Sequence, residues 1–140
     1  MIKLYLDTNI LLDFLGERHP FYDAVAKLVT LADKGKVVLT ASPLSFSTTY
    51  YLLSKYETPS IAREKLQKFK ILCGVSNLNE QHIEKALSSS FSDFEDAIQY
   101  FCALESNSQI IITRNTKDYK NALLPIMSAE EYLNSIQKNT

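Results

Sequence analysis

The chain has 140 residues, and 46% of them are hydrophobic. This length and composition suffice for one domain with a substantial core and exclude a miniprotein that depends on disulfides for its stability. A formal net charge of −1 excludes binding to polyanions through bulk positive charge. The apolar runs are too short to span a bilayer and no signal peptide is recognisable, so we expect a cytoplasmic protein that does not enter the membrane.

Strands and helices alternate along the first half of the chain. Residues 2–6 (IKLYL) are short, β-rich and almost continuously apolar, as in a central parallel strand. The spacing of apolar residues predicts a short helix over residues 9–15 and a longer one from Pro20 to Gly35, with the glycine as its C′ residue. A second strand at 36–40 and a helix from Pro43 to Lys55 follow.

The same alternation continues in the second half. Capping residues mark the helix starts at Thr58, Asn79, Ser92 and Ser128, the last with Glu131 as a capping box. The helices and strands expected here are a helix over 58–72, a β-like stretch over 70–75, helices from 79 and over 92–105, a strand over 109–113, a short strand within 123–127, and a last helix from 128. This order predicts an α/β sandwich with a mostly parallel sheet, and no linker divides residues 1–140 into more than one domain.

Polar clusters follow two of these strands. Asp7, with Thr8 and Asn9, ends the first strand, and Thr113, Arg114 and Asn115 end the strand over 109–113, with Asp118 shortly after. Functional sites of parallel sheets lie beyond the carboxyl ends of the strands, so we expect the two clusters to share one edge. Carboxylates gathered there repel one another unless a cation neutralises them, which indicates a Mg²⁺ or Mn²⁺ site able to activate water and stabilise phosphoryl transfer.

Each acid also has a purely structural interpretation. Asp7 could cap the following helix, although Asn9 could do so instead. At the start of the helix over 92–105, Ser92 and Glu95 have capping-box spacing and Asp93 suits the first-turn dipole, and we favour these structural roles.

Two further acids differ in how they are placed. Asp96 lies past the capping positions at the edge of the apolar stripe, whereas Asp118 alone could be a turn residue. Asp13 lies one turn after Asn9 and could join the acids, although a solvated helix position is favoured. His19 and His82 are expected to be solvated and not catalytic. Cys73 and Cys102 lack metal or redox spacing and are predicted to be reduced core thiols.

Three segments resemble one known family. They are "YLDTNILLD", "DFEDAIQYFCAL", and "IIITRNTKDY" followed by "LPIMSAEEYL". In this order and spacing they are similar to the PIN-domain family, particularly its small bacterial members that act as toxins of toxin–antitoxin pairs. The resemblance covers essentially the whole chain.

The resemblance implies a three-layer α/β/α sandwich and a Mg²⁺- or Mn²⁺-dependent ribonuclease. It further implies a homodimer inhibited by an antitoxin protein. Asp7, Asp96 and Asp118 match the family's metal-binding catalytic acids, and Asn9, Thr113 and Asn115 match polar residues that support them.

The chain departs from the family pattern at one acid. Thr48 stands where a Glu is expected, and a hydroxyl is a poorer ligand than a carboxylate for a hard cation. Either Glu95 or Asp93 supplies the missing carboxylate, or the chain is a catalytically weakened module that binds RNA or a protein. An aspartate-nucleophile phosphatase is a third hypothesis, disfavoured because Asn9 stands where such enzymes have a second acid.

Two sets of side chains are candidates for contacts with partners. Arg114, Lys117 and Lys120 adjoin the acids and are the better candidates for RNA binding, whereas the basic residues from Arg63 to Lys70 are expected to form a solvated helix face. The aromatic cluster of the helix over 43–55 could contact a second copy or an antitoxin, although a core role for most of its members is favoured; it comprises Phe46, Tyr50, Tyr51 and Tyr56.

Overall fold

The computed structural model describes residues 1–119 and 122–137. Its sheet has five strands in the order β3-β2-β1-β4-β5, and every neighbouring pair is parallel. The strands are β1 (Lys3–Leu6), β2 (Val38–Ala41), β3 (Cys73–Val75), β4 (Ile110–Ile112) and β5 (Ile126–Met127). The predicted α/β class with a mostly parallel sheet is confirmed.

Seven α-helices connect and follow these strands in the described part of the chain. They are α1 (Thr8–Leu15), α2 (Tyr22–Asp33), α3 (Pro43–Tyr56), α4 (Pro59–Lys70), α5 (Glu80–Leu87), α6 (Phe94–Glu105) and α7 (Ala129–Gln137), with a 3₁₀-helix over Thr116–Tyr119. None of the helices within residues 1–119 and 122–137 has both the length and the apolar character needed to cross a membrane.

The helices cover both faces of the sheet. Leu4 and Leu6 of β1 join a core with buried residues of α1, α2, α3, α4 and α7, whereas Tyr5 joins a second core with α5 and α6. Successive strand residues point to opposite faces, so β1 contributes to both cores and is buried on both sides. The result is a three-layer α/β/α sandwich.

The order of the strands places one crevice at the centre of the sheet. From β1 the chain winds outward through β2 to β3, then crosses back to β4 and β5 on the other side of β1. Leu6 and Ile112 lie opposite each other as the last residues of β1 and β4. The residues that follow these strands therefore meet at a topological switch point, where open α/β sheets bind ligands.

Most predicted helix ends are confirmed. The side chains of Thr58 and Asn79 cap α4 and α5, and Ser128 forms the expected reciprocal pair of hydrogen bonds with Glu131. Gly35 follows α2 with a φ of 72°, a left-handed conformation that glycine adopts at little cost.

The two histidines differ from each other in environment. His19 is exposed, as expected, but His82 is buried and the expectation that it is solvated is wrong. Its Nδ1 accepts a hydrogen bond from the Asn79 backbone N–H at 2.9 Å, and its Nε2 pairs with the Glu105 carboxylate. His82 thus ties α5 to α6, a contact that its polar sequence neighbours did not indicate.

Candidate active site

Asp7 lies at the centre of the polar edge. It follows β1, caps α1, and is only 7% exposed. Its Oδ1 accepts a hydrogen bond from the Thr8 backbone N–H at 2.7 Å. Its Oδ2 accepts from the Thr113 hydroxyl at 2.9 Å and the Tyr119 hydroxyl at 3.2 Å. Asp7 is therefore a helix cap and also the residue on which the carboxyl edges of β1 and β4 converge.

The protonation of Asp7 reflects opposing influences. Burial raises the pKa of this carboxyl, while the three hydrogen bonds from Thr113, Thr8 and Tyr119 lower it, and the charge of Asp118 raises it again. Burial is the largest of these effects, so the pKa is raised overall. A cation near Asp7 would stabilise its charged form.

Asn9 and Thr113 organise the loop after β4. The Asn9 Nδ2 group donates to the Thr113 hydroxyl at 3.2 Å, and its Oδ1 accepts from the Arg114 backbone N–H at 3.2 Å. The Asn115 backbone N–H donates to Thr113 Oγ1 at 3.1 Å. Asn9 and Thr113 thus lie in one hydrogen-bonded cluster with Asp7, and Asn115 is exposed at its edge.

The start of α6 lies one residue later than its sequence indicated. Asp93 is the N-cap, and its side chain accepts from the Asp96 backbone N–H at 2.9 Å. The predicted capping box between Ser92 and Glu95 is wrong, because Asp93 fills the cap position and leaves Glu95 in the first turn without a capping role. The main structural argument against Glu95 as a site residue is thereby removed.

Asp7, Asp96 and Asp118, which influence one another's charges, form what we call the acid edge, and Glu95 is coupled electrostatically to it. Burial raises the pKa of its carboxyl, and the charges of Asp7 and Asp93 raise it further. Hydrogen bonding by the Thr8 side chain partly opposes these effects. Glu95 is exposed, yet its carboxyl shares the electrostatic environment of Asp7.

Asp96 has the most perturbed carboxyl of α6. Burial, as the largest cause, and the negative charges of its neighbours together raise its pKa to about 7. The contributing charges, in decreasing order, are those of Asp93, Asp7, Asp118 and Glu95. These mutual effects show that acids from β1, α6 and the 3₁₀-helix lie in one electrostatic field. Perturbed carboxyls of this kind cluster at functional sites.

The donor types of this edge fit a hard divalent cation. Within the part of the chain that the structure describes, however, no three His, Cys, Asp or Glu side chains are grouped closely enough to hold an ion as they stand. The carboxylates therefore do not form a closed protein cage. Mg²⁺ commonly keeps several water ligands and takes only a few carboxylates from the protein, so the set remains compatible with it.

A buried polar network lies beneath the acids. Gln99 of α6 is fully buried; its Nε2 group donates to the Ser45 hydroxyl at 2.9 Å and to the Thr8 hydroxyl at 3.2 Å. Its Oε1 accepts from the Tyr5 hydroxyl, and the Thr8 and Ser45 hydroxyls are 2.8 Å apart. Gln99 thus connects the helix of Asp96 to the residue after Asp7.

Thr48 is half-buried in α3, one turn beyond Ser45. Positions three apart share a helix face, so Thr48 follows the network residue along the same side of α3. Its neighbour Thr49 is fully buried. The stretch that was expected to bring a Glu instead supplies hydroxyl groups.

The Arg114 side chain is engaged by Asp13 and Phe21. Its Nε lies 2.8 Å from the Oδ2 of Asp13, and its guanidinium carbon lies 4.2 Å from the centre of the Phe21 ring. Asp13 is fully buried, so the expectation that it is solvated is wrong. Asp13 can be buried because the guanidinium of Arg114, far along the chain, neutralises its charge. Lys117 is exposed, whereas Lys120 lies outside the described residues.

The remaining partner candidates divide by exposure. Arg63, Lys68 and Lys70 are exposed as expected, but Lys65 is half-buried, with its Nζ 2.6 Å from the Glu57 carboxylate. Of the aromatic cluster in α3, Phe46 and Tyr50 pack against the core, whereas Tyr51 and Tyr56 are exposed. Cys73 and Cys102 are buried free thiols, as predicted.

Two site residues, Gln99 and Tyr119, are not indicated by the sequence analysis, and Thr8 is indicated only as a member of the polar cluster after the first strand. Tyr119 directly follows Asp118, and Thr8 lies between two polar residues that were singled out. Their neighbours were therefore a signal. The sequence offers no such signal for Gln99. Its role depends on hydrogen bonds to hydroxyl groups of other elements, and these contacts are visible only in the folded chain.

A model of the PIN domain matches residues 3–117. This chain belongs to the PIN-domain family. It is 28% identical over 137 residues to Ribonuclease VapC1 of Aquifex aeolicus (strain VF5), covering 93% of this chain and 92% of that protein.

Solved structures share the PIN fold of this chain. One is VapBC2 of Rickettsia felis bound to a promoter DNA fragment, with a TM-score of 0.68, 18% identity, and coverage of 91% of this chain and 98% of that one. Another is DNA-bound VapBC of Salmonella typhimurium, with a TM-score of 0.68, 17% identity, and coverage of 92% and 99%. The PIN resemblance of the three sequence segments is confirmed.

Proposed function

We propose that this PIN-domain chain is an endoribonuclease that hydrolyses RNA phosphodiester bonds and acts as the toxin of a toxin–antitoxin pair. The observation that carries the proposal is the convergence of buried Asp7 with Thr113 and Tyr119 at the switch point of the sheet. The similarity to a protein named a ribonuclease supports it over almost the whole chain. A phosphatase reaction has no comparable support.

The proposed cofactor is Mg²⁺ or Mn²⁺, held by Asp7, Asp96 and Asp118, with Glu95 in place of the acid expected at Thr48. Bound there, the cation would supply a Lewis acid for a phosphodiester and lower the pKa of a water molecule. The raised pKa values of Asp7, Glu95 and Asp96 are consistent with a set of carboxylates that needs a cation to stay charged together.

The neighbouring residues would orient this chemistry. Thr113 and Tyr119 fix the Oδ2 atom of Asp7, and Asn9 holds the loop that carries Asn115. Lys117, exposed beside Asp118, is the better-placed phosphate contact. Arg114 is committed through Nε to Asp13, so its contact with RNA would use the remaining atoms of the guanidinium.

The proposed setting follows from the same function. We place the protein in the cytoplasm, where its RNA substrate is, with residues 1–140 acting as one PIN domain, as a homodimer and with an antitoxin partner. The relatives crystallised as VapBC complexes support a partner of this kind. Exposed Tyr51 and Tyr56 on α3 offer aromatic surface of the type that protein interfaces favour.

The decisive test is cleavage of single-stranded and structured RNA by the purified chain with Mn²⁺, Mg²⁺ or EDTA. Wild type should cleave with either metal, and Asp96→Asn should reduce cleavage to background. Asp33→Asn, an exposed acid at the end of α2, is the matched control and should remain active. Equal cleavage by wild type and Asp96→Asn would contradict the proposal.

The alternative is a PIN module that binds RNA or a protein without cleaving. The presence of Thr48 in place of a carboxylate favours it. RNA binding by wild type with no cleavage in either metal would decide for this alternative, and metal-dependent cleavage would decide against it.

A further inference from the structure

A cavity adjoins the acid edge on the side of α1. It has a volume of about 450 Å³ and lies between α1, the start of α2, the loop after β4, and the start of α7. The residues that matter for its chemistry are Asp13, Phe21, Arg114, Asn115 and Glu130. Cavities of this size accommodate groups as large as a nucleoside.

The wall shared with the acid edge is anchored to the catalytic cluster. Arg114 and Asn115 line the cavity, and their backbone N–H groups donate to Asn9 Oδ1 and Thr113 Oγ1. Thr113 in turn donates to Asp7. The cavity and Asp7 are therefore joined by the hydrogen-bonded loop that follows β4.

On this wall the Arg114 side chain meets the partly exposed ring of Phe21. The guanidinium carbon of Arg114 lies 4.2 Å from the centre of the Phe21 ring, and Phe21 is 40% exposed. Buried Asp13 holds Arg114 through Nε, so the guanidinium is fixed in orientation. Unpaired bases of RNA stack on aromatic rings and on Arg planes of this kind.

The charges of the lining favour a base over a phosphate. Asp13 neutralises Arg114, and the remaining charged group of the wall is the Glu130 carboxylate, which is exposed. This carboxylate would repel a second phosphate, whereas it would not repel a neutral base. Glu130 can also accept hydrogen bonds from the amino groups of bases.

We propose that this cavity, defined by Phe21, Arg114 and Asn115, binds an unpaired nucleobase of the RNA next to the phosphate at the acid edge. The proposal rests on the proposed ribonuclease function for the identity of the ligand. It adds a subsite that favours a nucleotide whose base is unpaired and free to swing out of the RNA helix. Cleavage would then be restricted to loops and single strands.

The test measures binding and not cleavage. Fluorescence anisotropy would compare a labelled five-nucleotide single-stranded RNA with the same RNA carrying an abasic central nucleotide, using Asp96→Asn protein so that the RNA stays intact. Loss of the base should weaken binding about tenfold, the scale of one base–aromatic stack. Phe21→Ala should weaken binding of the intact RNA to a similar extent and abolish the difference between the two RNAs.

Two further variants keep the result interpretable. Ala24→Leu fills the cavity from α2 while retaining Phe21, and it should give the same loss as Phe21→Ala. Leu87→Ala, at an exposed apolar residue on α5, is the control and should bind both RNAs as the parent does. In the cleaving protein, Phe21→Ala should raise KM more than it lowers kcat.

The outcomes separate this proposal from the proposed function. Metal-dependent cleavage with no effect of the abasic nucleotide or of Phe21→Ala would overturn the base subsite and leave the ribonuclease intact. Base-dependent binding without cleavage would support the subsite and contradict the ribonuclease. If Phe21→Ala removed binding of a protein partner but left RNA binding unchanged, the subsite would also be rejected.

Discussion

The hydroxyl of Tyr119 donates a hydrogen bond to Oδ2 of Asp7 at 3.2 Å, although the two residues are 112 positions apart. Burial and the charges of Asp7 and Asp96 raise the pKa of the Tyr119 hydroxyl, so it remains a neutral donor. Together with Thr113, it sets the direction of the Asp7 carboxylate.

Tyr119→Phe removes this donor and keeps the packing of the ring. We expect cleavage to fall about tenfold, as is typical when a residue that orients a metal ligand is lost, with a stability loss of about 1 kcal/mol. Cleavage rates across a Mn²⁺ titration and urea unfolding would measure the two effects. Unchanged activity at every Mn²⁺ concentration would show that Tyr119 does not orient the site.

The proposed substitution of Glu95 for the missing acid predicts a compensation between two positions. Glu95→Gln should weaken Mn²⁺ binding about tenfold or more, and Thr48→Glu added to that variant should recover part of the loss. Isothermal titration calorimetry with Mn²⁺ would measure both. Glu84→Gln on α5, an exposed acid, is the control. If Glu95→Gln binds Mn²⁺ as wild type does, Glu95 has no role at the metal.

Gln99→Leu should destabilise the fold. It leaves the buried hydroxyls of Tyr5, Thr8 and Ser45 without their amide partner, and each unsatisfied buried polar group costs about 1–3 kcal/mol. We therefore expect a loss of about 2 kcal/mol or more in urea unfolding. Gln67→Leu, an exposed amide on α4, should unfold like wild type. A loss no larger than that of the control would mean that the network adds nothing to stability.

The acid edge also predicts an unusual dependence of stability on pH. Asp96 has a folded-state pKa of about 7, above the value of an unfolded Asp, so the folded state binds the proton more tightly. Its contribution to the free energy of unfolding is therefore present at low pH and lost as pH rises through about 7.

Asp96→Asn removes this titration. Without added metal, the melting temperature of the variant relative to wild type should be higher at pH 8 than at pH 5. Added Mn²⁺ should stabilise wild type at pH 8 more than the variant. The same difference in melting temperature at both pH values would contradict the raised pKa.

The ends of β1 and β4 could be predicted from the sequence because polar residues directly follow both strands. Buried parallel strands are apolar throughout, so the polar residues that interrupt them at Asp7 and Thr113 stand out, and parallel strands place both interruptions at one edge. The fold class follows from the same alternation of strands and helices.

What could not be predicted depends on contacts between distant parts of the chain. Asp13 was expected in solvent because its partner Arg114 lies on another element, and Gln99 was overlooked because its three hydroxyl partners come from β1, α1 and α3. The error at α6 is local. Ser92 and Asp93 are both suitable N-cap residues. Because Asp93 is the N-cap, Glu95 lies in the first turn and is not needed for a capping box.

The distance along the chain between Asp7 and its two side-chain donors has a consequence during synthesis. Asp7 is translated before Thr113 and Tyr119, with every helix from α1 to α6 between them, and β4 must pair with β1 before either donor can reach it. A ribosome-bound fragment that lacks them has the acids of β1 and α6 without the groups that hold Asp7 in place. The proposed nuclease would thus acquire an oriented Asp7 only after β4 and the 3₁₀-helix have been translated.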